Sequence, residues 1–144
     1  MSTTSHSRSI HIDAPVETVF AFVTDPTRVY GAFYQQRKPV ITDQRMTPGA
    51  GAGSRYRFAG HLGVFPVHGE VTREEYVRDE CIVDGYRDGR NIYTVQPDPP
   101  GTTLTLTVES SSPLTVLNKG KDLLMRPDRN LDTWLANIKP AIET

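Results

Sequence analysis

Asp84 and Tyr93 are the residues of this chain whose types and placement could carry acid–base chemistry. With Asp88-Gly89 as a two-residue hairpin turn, the stretch "ECIVDGYR" folds back on "RNIYTVQ". Tyr86 then opposes Asn91, Asp84 opposes Tyr93, and Ile82 opposes Val95. A longer turn at "PDPPG" (97–101) opposes Val95 with Leu104 and Tyr93 with Leu106. One face therefore carries Ile82, Asp84, Tyr93, Val95, Leu104, Leu106 and Val108. Thr103, Thr105 and Thr107 fall on the other, where exposed strands accept threonine. Asp84 is the exception on its face, one carboxylate among apolar and aromatic neighbours. Desolvation makes a carboxyl group hold its proton more tightly, so a carboxyl so placed could exchange protons with a bound enol or ketone. Tyr93 could hydrogen-bond the same carbonyl oxygen. Two plainer readings compete: a solvated Asp84-Gly85 near a sheet edge, or an Asp–Tyr hydrogen bond satisfied inside the core.

Other chemistries find less support. The four histidines are His6, His11, His61 and His68, and no HxxxH or HExxH accompanies them, so no metal site is expected. There is no GxSxG elbow, and "ESSSP" (109–113) reads as a strand end. "GAGAGS" (49–54) lacks a following GK[ST] and reads as a flexible hairpin connection rather than a phosphate loop. Cys81 is the sole cysteine, which excludes an intramolecular disulfide and a CxxC motif. No cofactor is implied. With 16 basic and 17 acidic residues the net charge is −1, and the basic residues are scattered, so no nucleic-acid footprint is present. No apolar run is long enough to span a bilayer, and "MSTTSHSR" lacks the apolar core of a signal peptide, so the expected location is cytoplasmic.

The elements that would position these residues follow from periodicity. A chain of 144 residues is expected to form one domain, here 7–144 after a loose tail at 1–6. "SRSIHI" (7–12) alternates, with Ile10 and Ile12 on one face, and predicts a strand. Pro15 suits a first helical turn, and Val16, Val19, Phe20 and Val23 make one apolar face. Asp25-Pro26 ends that helix and caps a second short one through Val29, Tyr30 and Phe33. Six strands follow, near 40–46, 54–61, 64–77, 80–87, 90–96 and 102–109. After Pro113 the pattern turns helical, with Leu117, Leu124, Leu131 and Ile138 at i+7 steps and Leu135 and Ile142 beside them. Pro127 predicts a kink or a restarted helix. The layout is α+β, with the long helix covering one face of a curved antiparallel sheet. Trp134, offset from the leucine stripe, is expected under a helix edge or in a dimer contact.

Hairpin parity sorts the interior of the earlier strands. With Leu62-Gly63 as the turn, Tyr56, Phe58, Phe65, Val67 and Val71 share a face, and Arg55–Glu70 and Arg57–His68 face each other on the opposite one. Tyr30, Phe33 and Tyr34 join the aromatic set, which serves either as plain core or as the lining of an apolar pocket.

In this order and spacing, "IDAPVETVFAFVTDP", "GAGSRYRF", "VHGEVTREEYV", "YTVQPDPPGTTLTLTVE" and "LANIKPAIE" resemble the START-like (SRPBCC) superfamily. More narrowly, the chain looks like its polyketide cyclase/dehydrase and lipid-transport branch, from about Ser7 to Glu143. The resemblance implies a helix-grip fold: a curved antiparallel sheet of about six to seven strands around a long C-terminal helix, with two short helices after the first strand. It also implies an apolar cavity between sheet and helix that binds a hydrophobic small molecule, lipid or polyketide. The lining would come from Tyr30, Tyr34, Tyr56, Phe58, Phe65, Val67, Asp84, Tyr93, Leu106, Leu117 and Leu124. The superfamily shares no nucleophile or metal motif, so its fold alone does not choose among functions. A cyclase or dehydratase using Asp84 and Tyr93 is the alternative, and a protein-interaction module is a second. A monomer or homodimer is expected.

Overall fold

The computed structural model describes residues 3–33, 40–62, 65–86, 89–111 and 127–143. Side chains of Phe58, Phe65 and Val67, and all of Tyr34, Leu117 and Leu124, lie outside what is described.

Strand β1 (Thr3–Ile12) leads into helices α1 (Val16–Thr24) and α2 (Pro26–Phe33). Six strands follow: β2 (Val40–Arg45), β3 (Arg55–Leu62), β4 (Phe65–Val77), β5 (Cys81–Tyr86), β6 (Gly89–Asp98) and β7 (Gly101–Ser111). Helix α3 (Pro127–Glu143) comes last. The strands form one 7-stranded antiparallel sheet in the order β1-β7-β6-β5-β4-β3-β2, a meander closed by the first strand against the last. This is the helix-grip arrangement, with α3 packed along β1 and against α2.

Residues 3–6, expected as a loose tail, belong to β1: Thr3 pairs with Ser111 and His6 with Val108. The polar "TTSHS" gave no apolar signal, but a backbone ladder does not require one. Hydroxyl pairs Ser7–Thr107 at 2.9 Å and Ser9–Thr105 at 2.7 Å continue the pairing along the polar face.

The two short helices turn on Asp25. Its carboxylate accepts from the backbone N–H groups of Thr27 (3.1 Å) and Arg28 (3.4 Å), which otherwise have no partner in a first helical turn. Val19, Phe20, Phe22 and Val23 of α1 are buried, as are Val29 and Tyr30 of α2. Helix α3 starts at Pro127, where the missing N–H costs no helical bond. It buries Leu131, Leu135 and Ile138, with Ile142 and Trp134 packed partly against the same core. Arg8–Asp132 (3.3 Å) and Lys139 Nζ to the His11 carbonyl (2.8 Å) tie α3 to the edge strand.

Two hairpins sit two residues away from the expected register. Tyr56 pairs with Val71 and Arg57 with Glu70, so Leu62, expected in the turn, is paired with Phe65, and Arg55 faces Thr72 rather than Glu70. Tyr86 pairs with Gly89, Asp84 with Asn91 and Ile82 with Tyr93, two residues from the register expected of an Asp88-Gly89 turn. Gly89 is thus a ladder residue, and a Cβ there would collide with the Glu109 carbonyl oxygen of β7. The last hairpin has the expected register, Val95 with Leu104 and Tyr93 with Leu106. A slip of two preserves every face, so Ile82, Asp84, Tyr93, Val95, Leu104 and Leu106 are all buried together.

Candidate functional site

Among the described residues the interior between sheet and helices is mostly apolar, with one cluster of charged and phenolic side chains, while buried Thr102 donates to the Ala14 carbonyl at 2.7 Å. Asp84 stands in the middle of β5, where four consecutive residues are buried, and its side chain is 2% exposed. Its cross-strand partner is Arg73 of β4, with a fully buried side chain. Arg73 Nε donates to Asp84 Oδ1 at 2.8 Å and Nη2 donates to Oδ2 at 3.2 Å, a two-point guanidinium–carboxylate contact. Its Nη1 donates to the carbonyls of Thr24 (3.1 Å) and Ala50 (2.8 Å). One side chain thus joins the end of α1, the 3-10 turn Pro48–Ala50 and strand β5.

That turn carries the glycine-rich stretch expected to be a flexible connection, and it is held at several points. Buried Ser54 donates to the Gly51 carbonyl at 2.7 Å and accepts from the Thr47 N–H at 3.0 Å. The backbone of Arg73 bonds to Gly53 and Ser54, at 2.9 and 2.8 Å.

Three tyrosines complete the cluster. Tyr56 donates its hydroxyl to Asp84 Oδ2 at 2.9 Å, and its oxygen lies 3.4 Å from that of Tyr30. The two rings meet edge to face at 5.7 Å. Tyr93, 1% exposed and paired with Leu106, points into the same interior. Its hydroxyl is the one buried side-chain polar atom among the described residues with no hydrogen-bond partner. Burial, then the neighbouring Tyr30 and Asp84, push both the Tyr56 and Tyr93 phenols well above their ordinary value. Burial alone would lower Arg73, but hydrogen bonding and charge contact with Asp84 outweigh it and raise the guanidinium above its usual value.

The structure therefore brings together Tyr30, Tyr56, Asp84, Tyr93 and Leu106 of the expected lining. The remaining expected positions, Tyr34, Phe58, Phe65, Val67, Leu117 and Leu124, lie outside the described side chains. Asp84 neither opposes Tyr93 nor bonds to it, because the register differs by two and Tyr56 and Arg73 occupy its oxygens. Arg73 is the member of the buried cluster that the sequence reading missed. Alternation from buried Val71 places it inward, and a charged residue at an inward position signals a buried partner.

Two recesses open on the surface of the described residues. One, of about 330 Å³, is bordered by Asp13, Ala14, Pro15, Pro99, Pro100 and Gly101. Another, of about 210 Å³, is bordered by Arg45, Arg55, Tyr56, Arg57 and Glu70. Among the described residues no group of His, Cys, Asp and Glu is arranged to hold a metal ion, and no helix is long and apolar enough to cross a membrane.

Fold and interior together define a START-like helix-grip protein with a polar cluster in its grip. The family described as polyketide cyclase/dehydrase and lipid transport matches residues 3–143, and the chain belongs to that family. A search of curated proteins finds no match. Among solved structures, protein Ms6760 from Mycobacterium smegmatis is similar at a TM-score of 0.72 and 14% identity, covering 94% of this chain and 88% of that one. TTHA0849 from Thermus thermophilus gives 0.71 and 14%, over 96% and 97% of the two chains. The Aha1 dimer from Colwellia psychrerythraea gives 0.66 and 13%, over 97% and 96%. At such identities the likeness is one of fold.

Proposed function

We propose that this protein binds a hydrophobic small molecule against the inner face of its sheet, with Tyr93 as the polar contact. The observation that carries the reading is the Tyr93 hydroxyl, buried beside Tyr30 and Asp84 with no partner. Leaving such a group unsatisfied costs about 1–3 kcal/mol, and a ligand oxygen placed there would remove that cost. The family, whose description joins cyclases with lipid transport, supports a ligand of this kind. The alternative, a cyclase or dehydratase with Asp84 as its proton-exchanging group, has less behind it. The Asp84 oxygens are already engaged by Arg73 and Tyr56.

Native mass spectrometry of the purified protein, with solvent extraction of any adduct and titration of a hydrophobic library, tests the binding reading. A bound species, or library members that displace one another stoichiometrically, is the expected result. Absence of both across the library would remove the proposal. For the catalytic alternative, Asp84→Asn should abolish turnover of a polyketone while sparing binding.

A further inference from the structure

We infer that the molecule held at Tyr93 is electrically neutral and presents a carbonyl oxygen to the phenol, so that fatty-acid anions are rejected. This rests on the binding reading above and narrows it to a class of ligand. It comes from counting which polar groups of the interior are already in use.

Four of the five guanidinium N–H groups of Arg73 are placed, two on Asp84 and one each on Thr24 and Ala50. Asp84 accepts twice on Oδ2, from Tyr56 and Arg73, and once on Oδ1. The two formal charges cancel within a two-point contact, so the cluster is neutral as it stands. A ligand carboxylate would add an unmatched negative charge to a desolvated interior beside the Asp84 carboxylate. Arg73, tied down at both ends, offers it no two-point partner. Transfer of an unpaired ion from water to such a place is strongly unfavourable, whereas a neutral molecule carries no such cost.

Tyr93 supplies what is left: one hydroxyl, without a partner. Burial keeps the phenol protonated, so it is a donor at neutral pH and calls for an acceptor. Its cross-strand partners Ile82 and Leu106 are apolar, as are Val95 and Leu104 on the same face, while Tyr30 and Asp84 lie on its polar side with their own partners. The complement is a largely hydrocarbon molecule with a ketone or ester oxygen.

Three probes of matched chain length separate the possibilities: decane, methyl decanoate and decanoate, each competing at neutral pH against the neutral dye Nile red. Methyl decanoate should compete about 10-fold better than decanoate, the ratio of roughly 1.4 kcal/mol. In Tyr93→Phe its advantage over decane should shrink by about 10-fold, the loss of one hydrogen bond. Decane itself should compete as before, which also reports an intact fold. Decanoate competing as well as its ester overturns the inference while leaving the binding reading in place. So does a Tyr93→Phe variant in which the ester keeps its advantage over decane, as it would if a resident water satisfied the phenol. Failure of all three probes to compete overturns both.

Discussion

Arg73 and Asp84 face each other across β4 and β5 with two hydrogen bonds, 2.8 and 3.2 Å long, and neither side chain is more than 2% exposed. Removing one partner of such a pair leaves a buried charge without its counter-charge, at a cost of about 3–5 kcal/mol. Asp84→Asn and Arg73→Met should each lower stability by roughly that amount in urea denaturation. Arg73→Met/Asp84→Asn should lose clearly less than the sum, since contacting residues are not additive. Additive losses would mean that the two side chains act independently.

Alkaline pH should unfold the protein through its buried phenols. Tyr56 and Tyr93 are held well above the ordinary 10.0 in the folded chain, whereas both ionise near that value once unfolded. Above it the unfolded state binds fewer protons than the native state, so stability falls as pH rises. The contribution is complete below about pH 10 and is lost as pH climbs toward the folded values. Tyrosinate absorbance should show Tyr56 and Tyr93 ionising only as the fold is lost, read as the amplitude missing in Tyr56→Phe and Tyr93→Phe. Ionisation of both in a still-folded protein would contradict this.

Gly85 of β5 lies directly under the Glu74 carboxylate, which Arg90 holds at 3.6 Å, and a Cβ on Gly85 would meet that carboxylate. Gly85→Ala should therefore cost about 1 kcal/mol, the low end of overpacking. In a Glu74→Ala background the same change should be close to neutral. An equal cost in both backgrounds, measured by thermal denaturation, would place the obstruction elsewhere.

Arg45 and Arg55 are cross-strand partners on β2 and β3, and both are exposed. Like charges directly opposite destabilise a sheet, so Arg45→Glu should stabilise it by roughly 0.2–1 kcal/mol at low salt. The gain should fade in high salt, where exposed charges are screened. A gain independent of salt would point away from the charge pair.

The sequence made the faces of the sheet legible but left its register open. Alternation assigns Tyr56, Asp84, Tyr93 and Leu106 to the interior, and all four are there. It cannot separate registers that differ by two residues, because both bury the same side chains. Asp88-Gly89 looked like a turn on chemistry alone, yet Gly89 answers to the crowding of a neighbouring strand carbonyl. That slip of two separates Asp84 from Tyr93, its expected cross-strand partner, and gives each a different neighbour, Asn91 and Ile82. Residue type and face give the Tyr93 hydroxyl a polar role, but its lack of a partner is a property of three-dimensional neighbours that no spacing reports.

Strand β4 also carries a register shift between Arg73 and Glu75. Arg73 faces inward, and so does Tyr76, whose ring lies 5.5 Å from that of Phe20. Three steps along a plain strand would put these two on opposite sides. The extra residue, Glu74, changes the phase, so that β4 is read in one frame up to the ion pair and in another beyond it. Val77, 48% exposed, is left outside by the same change. Deleting this single surface residue would leave Tyr76 inside and Val77 outside on a plain strand, since the bulge only absorbs one residue more than β5 has to pair with.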